Sequence, residues 1–322
     1  MKKQRNLWMC GCSILMLAAC QQGEEGGLQP NEELDLYVQA SIEGSALPGR
    51  STTNENGTTT FEESDEIGFF MPDHQQQLKW ILVSNNWQPE ETAVWKDKVN
   101  TFQFCAYYPY SPETTSRTEV AMPDLSSQTG TWGDLGKYDF LAARCSASYE
   151  TNAGVVSFTG ESAFRHVYSL VVVSLQKDLE SENVTLQKEK FQGEGLFTQH
   201  SYCFADDAGQ DGMVPLDSEE DPELVLTYTD GVAVETDGGH AAVILLNPSE
   251  TEKVLGYTAT YRRDGIDYTA TTDQISGSFK AGYCYKYKLK LNKEGLTLVG
   301  NEICHWETQE MEEIRVDEVP AL

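Results

Sequence analysis

The chain has 322 residues, enough for two domains of ordinary size. Lys and Arg number 23 against 51 Asp and Glu, a formal net charge of -28. That balance argues against a nucleic-acid partner and against broad docking on anionic lipid, and predicts a self-repelling, soluble surface. The start, Met1 to Cys20, is a basic stretch followed by an apolar segment, Leu7 to Ala19, too short to span a bilayer. It ends Leu17-Ala18-Ala19-Cys20. Gln21 to Asn31 is polar, Gly-rich and acidic, the composition of a flexible tether.

The Leu-Ala-Ala-Cys ending resembles the bacterial lipobox. The resemblance implies a signal peptide over residues 1–19, a lipid on Cys20 and a lipidated tether over 20–32. An ordinary signal peptide with an incidental cysteine is the alternative. More than one acyl chain gives stable anchoring where a single chain does not.

Beyond the tether, Leu34, Leu36, Val38, Ala40 and Ile42 alternate with polar residues and Tyr37, the pattern of a half-buried strand. Ser45 to Thr60 is a long polar loop holding Arg50 and Ser51. Phe61 to Phe70 reads as a turn feeding a strand. Trp80 to Val83 and Phe102 to Tyr108 read as further strands, the latter ended by Pro109. Val167 to Leu175 is an apolar, valine-rich run. Valine is stiff at χ1 and suits a pleated surface, so this predicts a strand buried on both faces that completes a first sandwich over 33–177.

A second domain is expected over 178–322. Leu224 to Val234 predicts a hairpin turning at Asp230-Gly231, and Tyr257 to Thr272 another around Asp264-Gly265. Ala241 to Leu246 predicts a buried strand. Tyr283 to Leu291 alternates apolar residues with Lys286, Lys288 and Lys290. Leu296 to Val299 and Ile303 to Trp306 follow. The tail from Glu307 is acidic, with only Ile314 and Val316 in apolar alternation.

Several stretches in this order carry a resemblance. They are Phe61 to Phe70, Ala106-Tyr107-Tyr108-Pro109-Tyr110, Tyr138-Asp139-Phe140-Leu141-Ala142, Phe164-Arg165-His166 and Phe279-Lys280-Ala281-Gly282-Tyr283, with Ile303 and Trp306 at the end. Together they resemble the fimbrillin-like family, the lipoprotein subunits of type V pili on Gram-negative anaerobes. Ser64 departs from the pattern, which usually has glycine before Asp-Glu-Ile-Gly. The resemblance implies an all-β chain of two tandem transthyretin-like β-sandwich domains. It implies an outer-membrane, surface-exposed location and partners in the form of other pilus subunits, joined by donor-strand exchange. It also implies an arginine-specific protease cutting after Arg50, so that the mature chain begins at Ser51.

The search for chemistry finds little. Beyond the leader stand Cys105, Cys145, Cys203, Cys284 and Cys304, an odd number with no CxxC spacing, so neither a metal site nor a disulfide framework is expected. Buried small apolar residues describe most of them. His166 before an apolar strand is expected as a hydrogen-bonded core residue, since His74, His200, His240 and His305 form no ligand spacing with it. Asp206 to Gly212 is similar to a calcium loop, but Gly209 and Ser218 stand where ligands are needed, so a plain acidic loop is expected. No GxSxG, HExxH, P-loop or dinucleotide fingerprint is present, and no carboxylate pair is singled out. No enzyme, cofactor or metal is expected. Trp80, Trp87 and Trp95 suit either sugar stacking or core packing. Three roles stay open: a polymerising pilus subunit or adhesin, a pilus anchor, and a non-polymerising surface lipoprotein that binds host or bacterial glycans.

Overall fold

The computed structural model describes residues 34–43, 59–72, 74, 76–178, 180, 182–216, 223–236 and 240–306. The first half supplies β1 (Tyr37–Ala40), β2 (Glu66–Phe70), β3 (Gln77–Val83), β4 (Asn86–Pro89), β5 (Phe102–Tyr108), β6 (Val120–Ala121), β7 (Leu141–Ala147), β8 (Val155–Phe158) and β9 (Arg165–His166). The second supplies β10 (Ser169–Lys177), β11 (Val184–Gln192), β12 (His200–Cys203), β13 (Gly212–Pro215), β14 (Glu223–Ala233), β15 (Ala241–Leu246), β16 (Lys253–Arg263), β17 (Ile266–Gly277), β18 (Tyr283–Leu291) and β19 (Leu296–His305). The α-helices are single turns, α1 (Trp132–Leu135) and α2 (Tyr149–Asn152). No described helix is long and apolar enough to cross a membrane. The chain is all-β, as its alternation predicts.

Three apolar clusters organise the strands. The first lies between a six-stranded sheet, in the order β4-β3-β2-β5-β7-β9, and the pair β1-β8. The second lies between the sheets β15-β10-β18-β19 and β14-β11-β16-β17. The third is a seam. It joins the other face of the six-stranded sheet (Phe70, Tyr107, Ala142) to the other face of the β10 sheet (Leu170, Val172, Val243, Leu245). The small sheet β13-β12-β6 adds Val120 and Tyr202 to it.

The seam explains β10. Val171, Val173 and Leu175 point into the second core, while Leu170 and Val172 point into the seam. A strand with apolar partners on both faces reads as a continuous apolar run. Its place differs from the sequence expectation, however. It pairs antiparallel with β15 and parallel with β18, so it belongs to the second half's sheet and does not complete the first sandwich.

Turn chemistry decides two further points. Asp264 (φ 49°) and Gly265 (φ 85°) join β16 to β17, with Arg263 opposite Ile266, the two-residue hairpin that Asp-Gly favours. At Asp230-Gly231 the expected hairpin is absent. β14 runs as one strand along β11, and its register shifts between Leu186 and Lys188, leaving Tyr228 to Gly231 as a bulge. Gly231 there has φ 70°, and a Cβ on it would stand 2.3 Å from Thr185 Cγ2. Leu224, Leu226 and Val234 all bury in the second core, so keeping one face inward through the bulge outweighs turning back.

Candidate functional site

β1 is the element on which the expected function turns. Its backbone is held on both edges. Tyr37 N–H and Ser41 N–H donate to Gly154 O and Phe158 O, each at 3.0 Å, and Glu43 N–H donates to Phe164 O at 2.8 Å. On the other edge Leu36 N–H donates to Ala93 O at 3.0 Å and Trp95 N–H to Leu34 O at 2.8 Å. The regular ladder, with β8, is parallel and only four residues long. Leu36, Val38 and Ile42 are buried in the first core, while Leu34 and Ala40 are half-buried against it. Tyr37 points outward and is 58 % exposed. A cleft of about 640 Å³ lies beside the strand, lined by Tyr37, Gln39, Asn86, Trp87 and Pro89 among others. Its position follows from β1 having no ladder with β4, the edge strand of the six-stranded sheet.

Part of the family-like stretches does a different job: Phe70, Tyr107, Phe140, Ala142 and Trp306 meet at the seam. Asp139 Oδ2 lies 2.9 Å from His166 Nδ1, with both side chains buried. The His166 ring stacks on Trp306 with centroids 3.8 Å apart. The Ser169 hydroxyl donates to the carbonyls of Phe279 and Lys280 at 2.6 and 2.8 Å. Tyr107 stacks on Phe140. Gly68 lies opposite Tyr107, and a Cβ there would fall 2.0 Å from the Tyr107 ring. Ser64 has φ 73°, the left-handed region where glycine carries no Cβ penalty. His166 is thus a packed core residue beside the Asp139 carboxylate, in keeping with its setting before an apolar strand.

The other candidates resolve in turn. Trp80, Trp87 and Trp95 are 1 %, 8 % and 3 % exposed and pack in the first core. In the Asp206 to Gly212 loop, Asp206 pairs with Arg117. Asp207 accepts from Gly209 N–H at 3.0 Å and caps a short turn. Asp211 accepts from Arg144 Nε and Nη2 at 2.9 and 2.7 Å, and from Ala205 N–H. Among the described residues no group of three or more His, Cys, Asp or Glu is arranged to hold a metal ion. Cys20, Arg50 and Ser51 lie outside the described residues, as do the leader, the tether and the tail from 307.

One polar cluster was not legible beforehand. Glu189 of β11 is fully buried beneath the second core. Its Oε1 accepts from the Tyr257 hydroxyl at 2.5 Å. Its Oε2 accepts from Tyr228 at 2.5 Å and lies 2.7 Å from His240 Nε2. Burial, then the Glu189 charge, pushes both tyrosines above their ordinary range. Glu189 stands between lysines in Gln187-Lys188-Glu189-Lys190, which in sequence reads as a solvated face. The bulge in β14 is what brings Tyr228 to it.

With this geometry in hand, comparison with known proteins is informative. A family model described as fimbrillin-like matches residues 50–306. A Bacteroides ovatus protein named as a fimbrium tip subunit, Fim1C, is 24 % identical over 196 residues, which is 54 % of this chain and 36 % of that protein. The chain therefore spans about a third of that relative's length. A crystal structure described as a cell adhesion protein of Bacteroides uniformis superposes with TM-score 0.56 at 17 % identity, covering 85 % of this chain and 99 % of that one. Another, from Bacteroides ovatus, gives TM-score 0.52 at 15 % identity, covering 85 % and 98 %. At such identities the two structures share the fold with this chain, and the match over 50–306 shows that the chain belongs to the fimbrillin-like family.

Proposed function

We propose that this chain is a fimbrial subunit for cell adhesion, exported as a lipoprotein through Cys20 and matured by cleavage after Arg50, which frees β1 for exchange against a strand of another subunit. The observation that carries the proposal is the seating of β1. Leu36, Val38 and Ile42, in and beside β1, are buried in the first core, while the ladder of β1 is short and parallel. Burying three such side chains is worth roughly 5–9 kcal/mol. Whole-domain stability is about 5–15 kcal/mol. A groove emptied of β1 has strong reason to draw in another strand, by main-chain hydrogen bonds and alternating side chains. Arg50 follows this strand in sequence, within a stretch rich in Gly, Ser, Thr and Asn of the kind that proteases reach.

The tail sequence supports a terminal position in a fibre. Few of its residues alternate as apolar, so it is a poor strand to donate, whereas the β1 groove is a good one to fill. A subunit at the end of a fibre needs only one of those two abilities. The name of the Bacteroides ovatus relative, a tip subunit, agrees with that position. Mass spectrometry of surface-extracted protein tests the proposal, with a mature N-terminus at Ser51 expected beside filaments in electron micrographs. Full-length chains still lipidated at Cys20, as the only species beside filaments, would replace it with an anchor or a monomeric glycan-binding role.

A further inference from the structure

Cys284 of β18 lies directly opposite Cys304 of β19. Both are buried, and both point into the seam. Trp306 N–H donates to Gly282 O at 2.8 Å. Counting along the antiparallel ladder from that bond makes Cys284 and Cys304 a hydrogen-bonded pair, whose α-carbons stand about 5.5 Å apart. A disulfide spans α-carbons at roughly 4.4–6.8 Å, most often near 5.5–6 Å. The two side chains also leave the sheet on the same face, as a bridge requires.

The other three cysteines are placed differently. In the β5-β7 ladder Cys105 opposes Arg144, and Cys145 opposes Phe104. Those two side chains leave the sheet on opposite faces, Cys105 into the seam and Cys145 into the first core. Cys203 opposes Gly212. All five cysteines among the described residues stand as free thiols.

We propose that Cys284 and Cys304 are a modification site, closing to a disulfide that staples β19 to β18. The oxidant is an external disulfide of the glutathione class. The Cys304 thiolate attacks one of its sulfurs, and the other leaves as a thiolate. The Cys284 thiol then gives up its proton and attacks Cys304 Sγ, expelling the second small thiolate. In sum the protein gives up two protons and two electrons, and the small disulfide takes them up to become two thiols. In the folded chain a hydrogen bond from Cys284 holds the Cys304 thiol below its usual range. Both sulfurs are buried in the folded chain, so exchange belongs to the period when the β18-β19 hairpin forms and the seam has not yet closed over it.

The consequence concerns strand exchange. Among the described residues β19 is an edge strand, laddered with β18. Stapled, β19 is held to β18 and is withdrawn from strand exchange.

Refolding the full chain with oxidised or with reduced glutathione, then alkylating under denaturing conditions, tests the bridge. In the oxidised sample Cys284 and Cys304 should escape alkylation and their peptides should be joined, with Cys105, Cys145 and Cys203 alkylated. Closing a loop of about twenty residues should raise the melting temperature by roughly 5 °C over the reduced sample. The double variant Cys284→Ala, Cys304→Ala should melt alike in both buffers. Alkylation of both cysteines after oxidative refolding, a bridge from either one to another cysteine, or a double variant that keeps the difference would each overturn the proposal.

Discussion

Asp139, His166 and Trp306 come from three distant stretches and meet in one buried contact. Removing the carboxylate leaves an imidazole in the seam without its charged partner. Leaving a buried polar group without its partner costs about 1–3 kcal/mol. Asp139→Ala should lose that much in denaturant unfolding, and a loss within about 0.5 kcal/mol of zero would count against the seam's importance. Tyrosines give a second test at this scale. Tyr168, Tyr202, Tyr228, Tyr257 and Tyr287 are all pushed above their ordinary value of 10.0, in each case first by burial. A raised value means the folded state holds the proton more tightly. The stability this lends is whole below about pH 10 and is lost as pH rises beyond it. In an alkaline titration these five should ionise only as the chain unfolds, with tyrosinate absorbance and loss of near-ultraviolet circular dichroism coinciding. Ionisation of every tyrosine near pH 10 with the fold intact would contradict it.

Among the elements, β1 and β10 show how alike two apolar strands look locally and how differently they are held. β10 has ladders on both edges and apolar clusters on both faces. β1 has one short parallel ladder and one buried face. Parallel pairing is slightly weaker per residue, so side chains supply more of β1's hold. Ile42→Ala should therefore cost about 2–5 kcal/mol in equilibrium unfolding. Tyr37→Ala, on the outward face, should stay within about 0.5 kcal/mol. Equal effects would mean that β1 is not seated as described. The bulge of β14 makes the complementary point. Its Asp-Gly pair is a turn signal, yet the strand continues, because Leu226 and Val234 both find the second core.

Over the whole molecule, charge opposes association. A formal net charge of -28 repels a second copy, and salt screens that repulsion over about 10 Å at 0.1 M. Self-association followed by light scattering should quicken as salt is raised from low ionic strength. A rate that falls with salt would show that opposite charges draw the copies together instead. The seam matters at this scale too, since it gives the two halves of the described residues a shared apolar cluster.

Strand limits such as Phe102–Tyr108 and Ala241–Leu246, the Asp264-Gly265 hairpin and the two-faced burial of β10 were determined by the sequence alone. Periodicity and turn chemistry act over a few residues, so a local pattern suffices to specify them. The order of the family-like stretches was equally legible, but not their purpose. Only the tertiary structure decided that Asp139, His166 and Trp306 meet, that the three tryptophans are core, and that Glu189 is buried under two tyrosines. It also placed β10 in the second half's sheet and set Cys284 opposite Cys304. Those outcomes depend on which distant strands pair and in what register. That is settled by burying one face of every strand at once, a condition no short stretch of sequence contains.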